Sequence, residues 1–471
     1  MKFWFIAGSQ FLYGEETLKQ VEKDCIEIAA ELKLEYKATV KTAEGALSLV
    51  KAANFDDECA GVVVFCHTFS PSKMWVSALN LLQKPYLHLH TQYNASIPND
   101  AIDMDYMNLH QSAHGDREHG FIAARLRMPR KIVVGHWKDL AVQAQIADWR
   151  RVAVGVAESK NLKVMRFGDN MREVGVTEGD KVEAQLKLGW QVNTWGVGEL
   201  AATMSAVTDG EIDALVGEYR ALYDGEITDT VRYQARAELG MKTLLERENC
   251  KAFTNTFEDL FGMEQLPGLA TQRLMSQGCG YGGEGDWKVS AMTRIAKAMG
   301  GTASFMEDYT YDFDAGLVLG AHMLEVCPSI AADRPKIEVH PLGIGGKEPP
   351  ARLVFEGKAG AAVCVSLIDL GGRFRLIVQD VECVKPNKEY PNLPVARVMW
   401  KPLPDLKIAA EAWLRAGGSH HTVLSYDLRA EQFIDFARII GIECVHIGAH
   451  TNLADLERQL TTEDLIWNLK R

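Results

Sequence analysis

Apolar runs alternate with amphipathic segments along the first third of the chain. The run FWFIAG (3–8) is typical of a buried strand. The next segment repeats apolar residues at helical spacing, namely Leu18, Val21, Cys25, Ile28 and Leu32. The same reading predicts helices at 43–53 and 72–83 and strands at 61–66 and 85–90. This β–α–β order predicts a doubly wound parallel sheet.

A second α/β segment and a β-rich segment follow. The strand pattern LKVMRF and a polar turn begin the second segment near residue 162, and helices are predicted between Ile212 and Leu245. From about residue 301 the pattern changes to closely spaced strands, at 336–342, 351–357, 361–370, 374–384 and 395–400, before a helix-rich tail. We therefore predict two doubly wound parallel-sheet (Rossmann-like) domains, 1–161 and 162–301, and a C-terminal β-rich, antiparallel barrel-like domain, 302–471.

Composition narrows the class of ligand. The chain has 471 residues, a formal net charge of −12 and no basic stripe, so a small neutral molecule fits better than a nucleic acid. The segments that follow the first buried strands, GSQFLYG (8–14) and HTFSPSKMW (67–75), lie where doubly wound sheets bind ligands. Neither contains GxGxxG, which argues against a dinucleotide.

Cysteine usage and hydropathy favour the cytoplasm. The nine cysteines are odd in number and contain no CxxC pair, which favours buried thiols in a reducing compartment. The apolar run near the amino terminus has six residues, too few for the core of a signal peptide. No stretch approaches the ~18 apolar residues of a membrane span, so we expect no membrane association.

Four places pair a metal-ligand type of side chain with unusual surroundings. They are Glu284 among glycines, Glu307 in an apolar and aromatic run, His322 in LGAHMLEV, and the pair His420–His421. Each has a simpler explanation: a polar turn for Glu284, a capping or surface acid for Glu307 with Asp308 as the buried one, a hydrogen-bonded core histidine for His322, and a polar hairpin for the pair.

A single divalent cation would account for all four places. Two carboxylates and two imidazoles suit an ion with open coordination positions, manganese more readily than a closed zinc site. Adjacent histidines on a strand point to opposite faces, so we expect at most one of His420 and His421 in the site. No local motif such as HExxH is present.

The chain resembles the L-arabinose isomerase family over nearly its whole length. Ordered segments carry the resemblance, among them GSQFLYG, HTFSPSKMW, RFGDNMREV, VNTWGVG, LPGLATQRLM, GEGDWK, FMEDYTY, GAHMLEVCPSIAA, GIGGKEPPARLVF and AEAWLRAGGSHHT. The resemblance implies a cytoplasmic enzyme that converts L-arabinose to L-ribulose and often D-galactose to D-tagatose. It also implies three domains with an architecture like that of fucose isomerases, in a homo-oligomer, trimer or hexamer, with active sites at subunit boundaries.

The family's site residues carry over by position. The resemblance implies one Mn²⁺ per subunit, which Co²⁺ can replace, with Glu284, Glu307, His322 and His421 as ligands, and so chooses His421 over His420. His340 is not used in the family pattern. The implied substrate-binding residues are Gln10, Leu12, Phe69, His114, Met171 and Phe257. The chain is slightly shorter than the family pattern on both sides of FMED, which affects the expected shape of the pocket.

The chemistry of an aldose–ketose exchange assigns roles to the two glutamates. The C2 proton lies next to a carbonyl, so its removal gives a cis-enediol, and a metal would hold the developing charge. We assign Glu307 as the base at C2 and Glu284 as its acid–base partner; a hydride shift is the alternative. A sugar-phosphate aldolase, another sugar isomerase or epimerase, and an exported sugar-binding protein are the other classes. GIGGKEPPAR lacks the second basic cluster that a phosphate site needs.

Overall fold

The computed structural model describes residues 1–386 and 388–470, so residue 471, at the end of the third predicted domain, lies outside the described part. The chain separates into two units, residues 1–157 and 158–471, which are described in turn. Among the described residues, no helix has both the length and the apolar character needed to span a membrane.

The first unit contains a parallel sheet of five strands in the order β2-β1-β3-β4-β5, as the first pattern predicted. Its elements are β1 Lys2–Gly8, α1 Gly14–Glu31, β2 Glu35–Val40, α2 Ala43–Phe55, β3 Cys59–Cys66, α3 Val76–Leu81, β4 Tyr86–His90, α4 Met104–Leu109, α5 Ser112–Arg125, β5 Lys131–Val134 and α6 Leu140–Lys160.

Two hydrophobic cores cover the two faces of this sheet. Phe3 and Phe5 of β1 belong to one core, and Trp4 and Ile6 belong to the other. Successive side chains of a strand point to opposite faces, so a strand covered on both faces is apolar throughout. This explains why FWFIAG shows no alternation of apolar and polar residues.

The second unit begins with a four-stranded parallel sheet in the order β7-β6-β8-β9. Its elements are β6 Lys163–Phe167, α7 Lys181–Leu188, β7 Gln191–Trp195, α8 Val197–Ser205, α9 Asp209–Leu222, α10 Asp229–Arg247, β8 Ala252–Asn255, α11 Gly268–Ser276, β9 Gly280–Gly282 and α12 Trp287–Ala298. The second predicted α/β segment is thus confirmed as an α/β fold with a parallel sheet.

The remainder of this unit contains a closed antiparallel barrel. The barrel order is β14-β17-β10-β11-β16-β15, β14 pairs with β15 to close it, and β18 adds a parallel strand beside β15. The elements are β10 Thr302–Asp312, β11 Leu317–Ala321, β12 Lys336–Val339, β13 Ala351–Val354, β14 Gly360–Asp369, β15 Phe374–Val384, β16 Arg397–Pro402, α13 Leu406–Ala416, β17 His421–Tyr426, α14 Ala430–Ile440, β18 Glu443–Ile447 and α15 Leu453–Lys470.

The barrel confirms the predicted β-rich character and corrects two details. β12 and β13 are strands, but they form a separate two-stranded sheet outside the barrel, and β12 makes one further bridge to Asp224. The tail contains the predicted helices together with β17 and β18. Helix α12 contacts both the four-stranded sheet and the barrel, which explains why nearly all of its side chains are buried. The domain boundaries at 161 and 301 stay predictions.

Candidate metal centre

Three neighbouring barrel strands, β10, β11 and β17, bring three predicted metal ligands close together on the barrel wall. Glu307 on β10 is paired with His421 on β17 and with Ala321 at the end of β11. His322 directly follows Ala321. Directly opposed residues of antiparallel strands have side chains on the same face of the sheet. The strand register therefore places Glu307 and His421 side by side, and His322, just beyond the end of β11, reaches them with its Nε2 3.7 Å from Glu307 Oε2.

Glu284 reaches the same place from the loop between β9 and α12. Its backbone is left-handed, with φ 59°, and Gly285 follows with φ 82°. A Cβ on Gly285 would lie 2.5 Å from the Cα of Asn170, so only glycine fits there. A left-handed non-glycine residue costs conformational energy and is typical of functional sites. The strained turn aims the Glu284 side chain at the histidines.

The side chains form a compact cluster of carboxylates and imidazoles. Glu284 Oε2 lies 3.5 Å from Nε2 of both His420 and His421. Glu307 lies 3.7 Å from His322 Nε2 and 3.8 Å from His420 Nε2. Potential ligand atoms of Glu284, His420 and His421 all lie within 4.8 Å of one another. These separations suit groups that share a cation.

The expectation that at most one of His420 and His421 enters the cluster is wrong. β17 begins at His421, so His420 precedes the strand and does not follow its alternation. The two rings lie 4.2 Å apart, between centroids, and both approach Glu284. His421 is fully buried, whereas 39% of the His420 side chain is exposed. The choice of His421 as ligand stays a prediction.

A buried carboxylate holds each of the two buried histidines. His421 Nδ1 lies 3.1 Å from Asp286 Oδ2, and His322 Nδ1 lies 2.5 Å from Glu325 Oε2. An Nδ1–H that donates to a carboxylate leaves Nε2 with a free lone pair, the form in which histidine binds metals. His421 Nε2 is buried and has no hydrogen-bond partner. A cation at this point would satisfy it.

Charge balance favours a divalent ion. The buried cluster combines four carboxylates, Glu284, Asp286, Glu307 and Glu325, with two buried cations, Lys288 and Arg352. Lys288 Nζ lies 3.4 Å from Asp286 Oδ1, and the charge of Glu325 acts on Arg352. Without a cation, burial would lower the pKa of His322, but Glu325 and the other carboxylates raise it. Glu284 likewise raises the pKa of His420. Once the rings are neutral, as metal binding requires, two of the four negative charges are uncompensated. Buried charges are costly unless they are paired, so the cluster suits an ion of charge +2.

The surroundings shift the pKa values of these acids in opposite directions. Burial alone would raise the pKa of Glu284, but His420 and the other imidazoles hold it below its ordinary value. Burial would likewise raise the pKa of Asp286, but Lys288 and His421 lower it. Burial and the neighbouring Glu307 raise the pKa of Asp308 to about 7, and Asp308 Oδ1 is buried without a hydrogen bond. Asp308 is therefore a partly exposed acid beside the cluster, with its Oδ1 shielded from solvent.

The predicted substrate residues fall into two sets. In the second unit, the Met171 N–H donates to the Glu284 carbonyl at 2.9 Å, and the Phe257 ring lies 5.9 Å from the His322 ring. Both therefore lie beside the cluster, and their role in binding a sugar stays a prediction.

The other set, Gln10, Leu12, Phe69 and His114, lies in the first unit. Phe69 and His114 have ring centroids 4.5 Å apart. Gln10 directly precedes the short turn that contains Leu12, whose side chain is highly exposed. These residues follow β1 and β3 or begin α5, at the carboxyl edge of the sheet, where ligands of such sheets bind.

Three residues that support the cluster were not found from the sequence. Asp286 and Lys288 lie in GEGDWK, two and four residues after Glu284, and Glu325 lies three residues after His322. Their nearness to a ligand was visible, but nothing in the pattern showed that they were buried. Lys288 Nζ donates to the carbonyls of Thr177 and Glu178, at 3.0 and 2.7 Å.

Comparison with known proteins covers the whole chain. Sequence models of the L-arabinose isomerase N-terminal, central and C-terminal domains match residues 1–161, 163–302 and 302–443. The chain is 56% identical over 490 residues to an L-arabinose isomerase of Anoxybacillus flavithermus, covering 100% of this chain and 98% of the relative. It is 55% identical over 486 residues to that of Geobacillus stearothermophilus, covering 99% and 98%.

A more distant relative agrees with these matches. The L-arabinose isomerase of Thermotoga maritima is 53% identical over 486 residues, with 99% of this chain and 98% of the relative covered. Sequence identity above 50% over the full length, together with matches to three consecutive domain models, is stronger evidence of family membership than any single motif. The chain belongs to the L-arabinose isomerase family of enzymes.

Proposed function

We propose that the protein is a metal-dependent aldose–ketose isomerase that converts L-arabinose to L-ribulose and also accepts D-galactose, giving D-tagatose. The observation that carries the proposal is the cluster of Glu284, Glu307, His322 and His421, in which a buried carboxylate orients each histidine. The names of the relatives support the substrate. A fucose-isomerase-like architecture is also part of this proposal.

Glu284, Glu307, His322 and His421 would hold one Mn²⁺, or Co²⁺ in its place. The two carboxylate and two imidazole ligands suit a cation with positions left for substrate oxygens. When bound, this ion supplies positive charge that stabilises negative charge on the sugar oxygens. The orphaned Nε2 of His421 and the uncompensated negative charge of the cluster support this assignment.

The two glutamates move the protons. Glu307 takes the proton from C2 as base, which leaves a cis-enediol, and returns a proton to C1 to complete the ketose. Glu284, which its lowered pKa keeps ionised, takes the proton from the C2 hydroxyl and gives it to the C1 oxygen. Phe257 and Met171 line the pocket beside the cluster and exclude water. A hydride shift between C2 and C1 is the competing route, and it would leave the C2 hydrogen unexchanged with solvent.

The active enzyme is a cytoplasmic homo-oligomer in this proposal, trimer or hexamer. Gln10, Leu12, Phe69 and His114 complete the sugar pocket of a neighbouring subunit. The adjacent exposed side chains of Phe11, 64%, and Leu12, 82%, support a surface that is covered on assembly.

Product detection tests the function directly. Bound metal ions are removed from the purified protein with EDTA. The protein is then incubated with L-arabinose, D-galactose or L-fucose, with and without Mn²⁺, and the ketose formed is measured. We expect L-ribulose only with the metal, slower formation of D-tagatose, and little product from L-fucose. Equal turnover after complete metal removal, or no turnover of L-arabinose in Mn²⁺, would contradict the proposal.

A further inference from the structure

A histidine and a buried carboxylate form a pair at the carboxyl edge of the first unit's sheet. His90 is the last residue of β4, and its Nδ1 lies 3.0 Å from Asp116 Oδ2 of α5. Asp116 is almost completely buried. It also accepts the Cys66 N–H at 2.9 Å and faces His88 Nε2 at 3.1 Å. The carboxylate is thus fixed to the sheet and orients His90.

The close approach of α5 to β3 makes this arrangement rigid. A Cβ on Gly115 would lie 2.2 Å from the carbonyl oxygen of Thr68, so the helix can approach this closely only with glycine there. The next residue, Asp116, is thereby brought against the backbone at the end of β3. A carboxylate held in this way sets the direction of the His90 ring.

His90 differs from other histidines that contact carboxylates in this unit. His67 is buried and uses both nitrogens, one toward Asp24 and one toward the Leu109 carbonyl. His88 is also buried. The His90 side chain is 31% exposed, and the contact with Asp116 occupies only Nδ1. Its Nε2 is therefore available to a ligand, and the hydrogen bond to Asp116 raises its pKa, which suits acid–base work near neutrality.

The pair lies at the edge where the sugar residues of this unit are predicted. His114 precedes Asp116 by two residues on α5, and its ring contacts that of Phe69, which follows β3. β3 and β4 are neighbours in the sheet, so His90 and Phe69 extend from adjacent strand ends. Crevices at the carboxyl ends of parallel strands are the usual ligand sites of such folds.

The proposed reaction assigns no residue to the proton transfer that opens the sugar ring. Aldopentoses exist in water mainly as closed rings, whereas exchange of hydrogen between C1 and C2 needs the open-chain aldehyde. Opening requires a proton to leave the anomeric hydroxyl and a proton to reach the ring oxygen. Glu284 and Glu307 already serve the transfer between C2 and C1. A further acid–base group at the sugar pocket would open the ring faster than it opens spontaneously in water.

We propose that His90, positioned by Asp116, opens the sugar ring. The assignment rests on the proposed isomerase function. The His90 imidazolium gives its Nε2 proton to the ring oxygen, and the bond from C1 to that oxygen breaks, with its electron pair going to the oxygen. The anomeric O–H bond supplies the pair for the new C1=O bond, and its proton returns to Nε2. Both oxygens are attached to C1, so one nitrogen serves them in turn and is regenerated.

Dependence of the rate on enzyme concentration tests this role. An enzyme that cannot open the ring consumes only the aldehyde that forms spontaneously. With Mn²⁺-loaded protein and L-arabinose, the wild-type rate should rise in proportion to enzyme well beyond the uncatalysed ring-opening rate, which is measured separately in the same buffer. The rate with His90→Asn should level off at that uncatalysed rate, and at low enzyme its kcat/KM for total L-arabinose should fall by at least about 10²-fold, because only the open-chain fraction is then a substrate.

A matched histidine variant serves as the control for the ring-opening role. His136, which follows β5 at the same edge and bonds only backbone groups, provides the variant His136→Gln, which should behave as wild type. A His90→Asn rate that stays proportional to enzyme above the uncatalysed rate, or that is absent at all concentrations in protein that binds Mn²⁺ normally, would overturn the assignment. If His90→Asn does not fold, His90→Gln is measured in the same way.

The wild-type result distinguishes failure of this inference from failure of the proposed function. A wild-type rate that itself levels off at the uncatalysed rate would remove the ring-opening role and leave the isomerase intact. No L-ribulose from wild type with Mn²⁺ would remove both.

Discussion

Glu307 and His421 are directly opposed residues of the antiparallel strands β10 and β17, although they are far apart in the sequence. Their pairing places a carboxylate and an imidazole on the same face of the barrel wall. The neighbouring β11 ends beside them and adds His322. The centre thus depends on barrel register, and a shift of one residue in β17 would turn His421 away.

The first prediction concerns Glu307. Glu307→Gln keeps the size and one ligand oxygen of the side chain but removes the base. We expect kcat for L-arabinose to fall by at least about 10²-fold, with a smaller change in KM, because proton transfer is lost while sugar contacts remain. Steady-state kinetics in saturating Mn²⁺ measures both constants. Near-normal kcat would exclude Glu307 as the base.

The second prediction concerns the carboxylate behind His421. Asp286→Asn keeps an acceptor for the first N–H groups of α12 but removes the negative charge that holds His421 Nδ1–H. We expect Mn²⁺ affinity to fall by about 10- to 100-fold, as for other groups that orient metal-binding histidines. Isothermal titration calorimetry with Mn²⁺ measures the affinity of the variant and of wild type.

A matched variant separates metal binding from helix capping. Asp405 accepts N–H groups at the start of α13 in the same way, and its contacts are to Lys407 and Ile408. Asp405→Asn should leave Mn²⁺ affinity unchanged. Equal affinities for the Asp286 variant and wild type would refute the orienting role.

The third prediction concerns Asp308 and pH. Folding raises the Asp308 pKa from 3.8 to about 7, so the folded state favours the protonated acid. The resulting destabilisation is absent below about pH 3.8, grows between there and about pH 7, and is constant above. Asp308→Asn should therefore stabilise the metal-free protein at pH 8, by up to about 4 kcal/mol, and give little gain at pH 4.

Denaturant unfolding in EDTA at the two pH values measures this difference. Asp314→Asn, at an exposed position of the same hairpin, is the control and should change stability little at either pH. A gain for Asp308→Asn that is as large at pH 4 as at pH 8 would show that ionisation of Asp308 is not its cause.

Much of the fold follows from sequence pattern, and the reasons are local. The run FWFIAG and the helical spacing from Leu18 to Leu32 identify β1 and α1 because a parallel sheet covered on both faces has apolar strands. The strand at 336–339 was also visible. Its partner in the fold was not, since pairing of β12 with β13 depends on contacts between distant segments.

The candidate site shows the same division. Glu284, Glu307, His322 and the pair His420–His421 stood out by residue type, and the family resemblance chose His421. The approach of both histidines to Glu284 was not expected, because it depends on where β17 begins. Asp286 and Glu325 also escaped notice. Asp286 is buried against His421, which lies far away in the sequence. Glu325 is buried against His322, which lies three residues before it.

The fourth prediction concerns assembly. His114→Ala and Glu307→Gln should each be inactive, since they remove a sugar contact and the base. Co-expression of the two chains should restore part of the activity, because some sites in a mixed oligomer receive an intact His114 from one chain and an intact Glu307 from another. Activity is measured on oligomers whose mixed composition is confirmed by mass. Mixed oligomers as inactive as their parents would count against sites shared between subunits.

The central claim is that Glu284, Glu307, His322 and His421 hold one Mn²⁺. The most direct measurement is a titration of wild type, His421→Ala and His420→Ala with Mn²⁺. The paramagnetic resonance signal of free Mn²⁺ reports how much of the ion stays unbound at each step. His421 is fully buried and held by Asp286, whereas His420 is partly exposed. We predict one site per chain in wild type, loss of that site in His421→Ala and retention of most of the affinity in His420→Ala. Equal loss in both variants, or an unchanged site in His421→Ala, would contradict this ligand set.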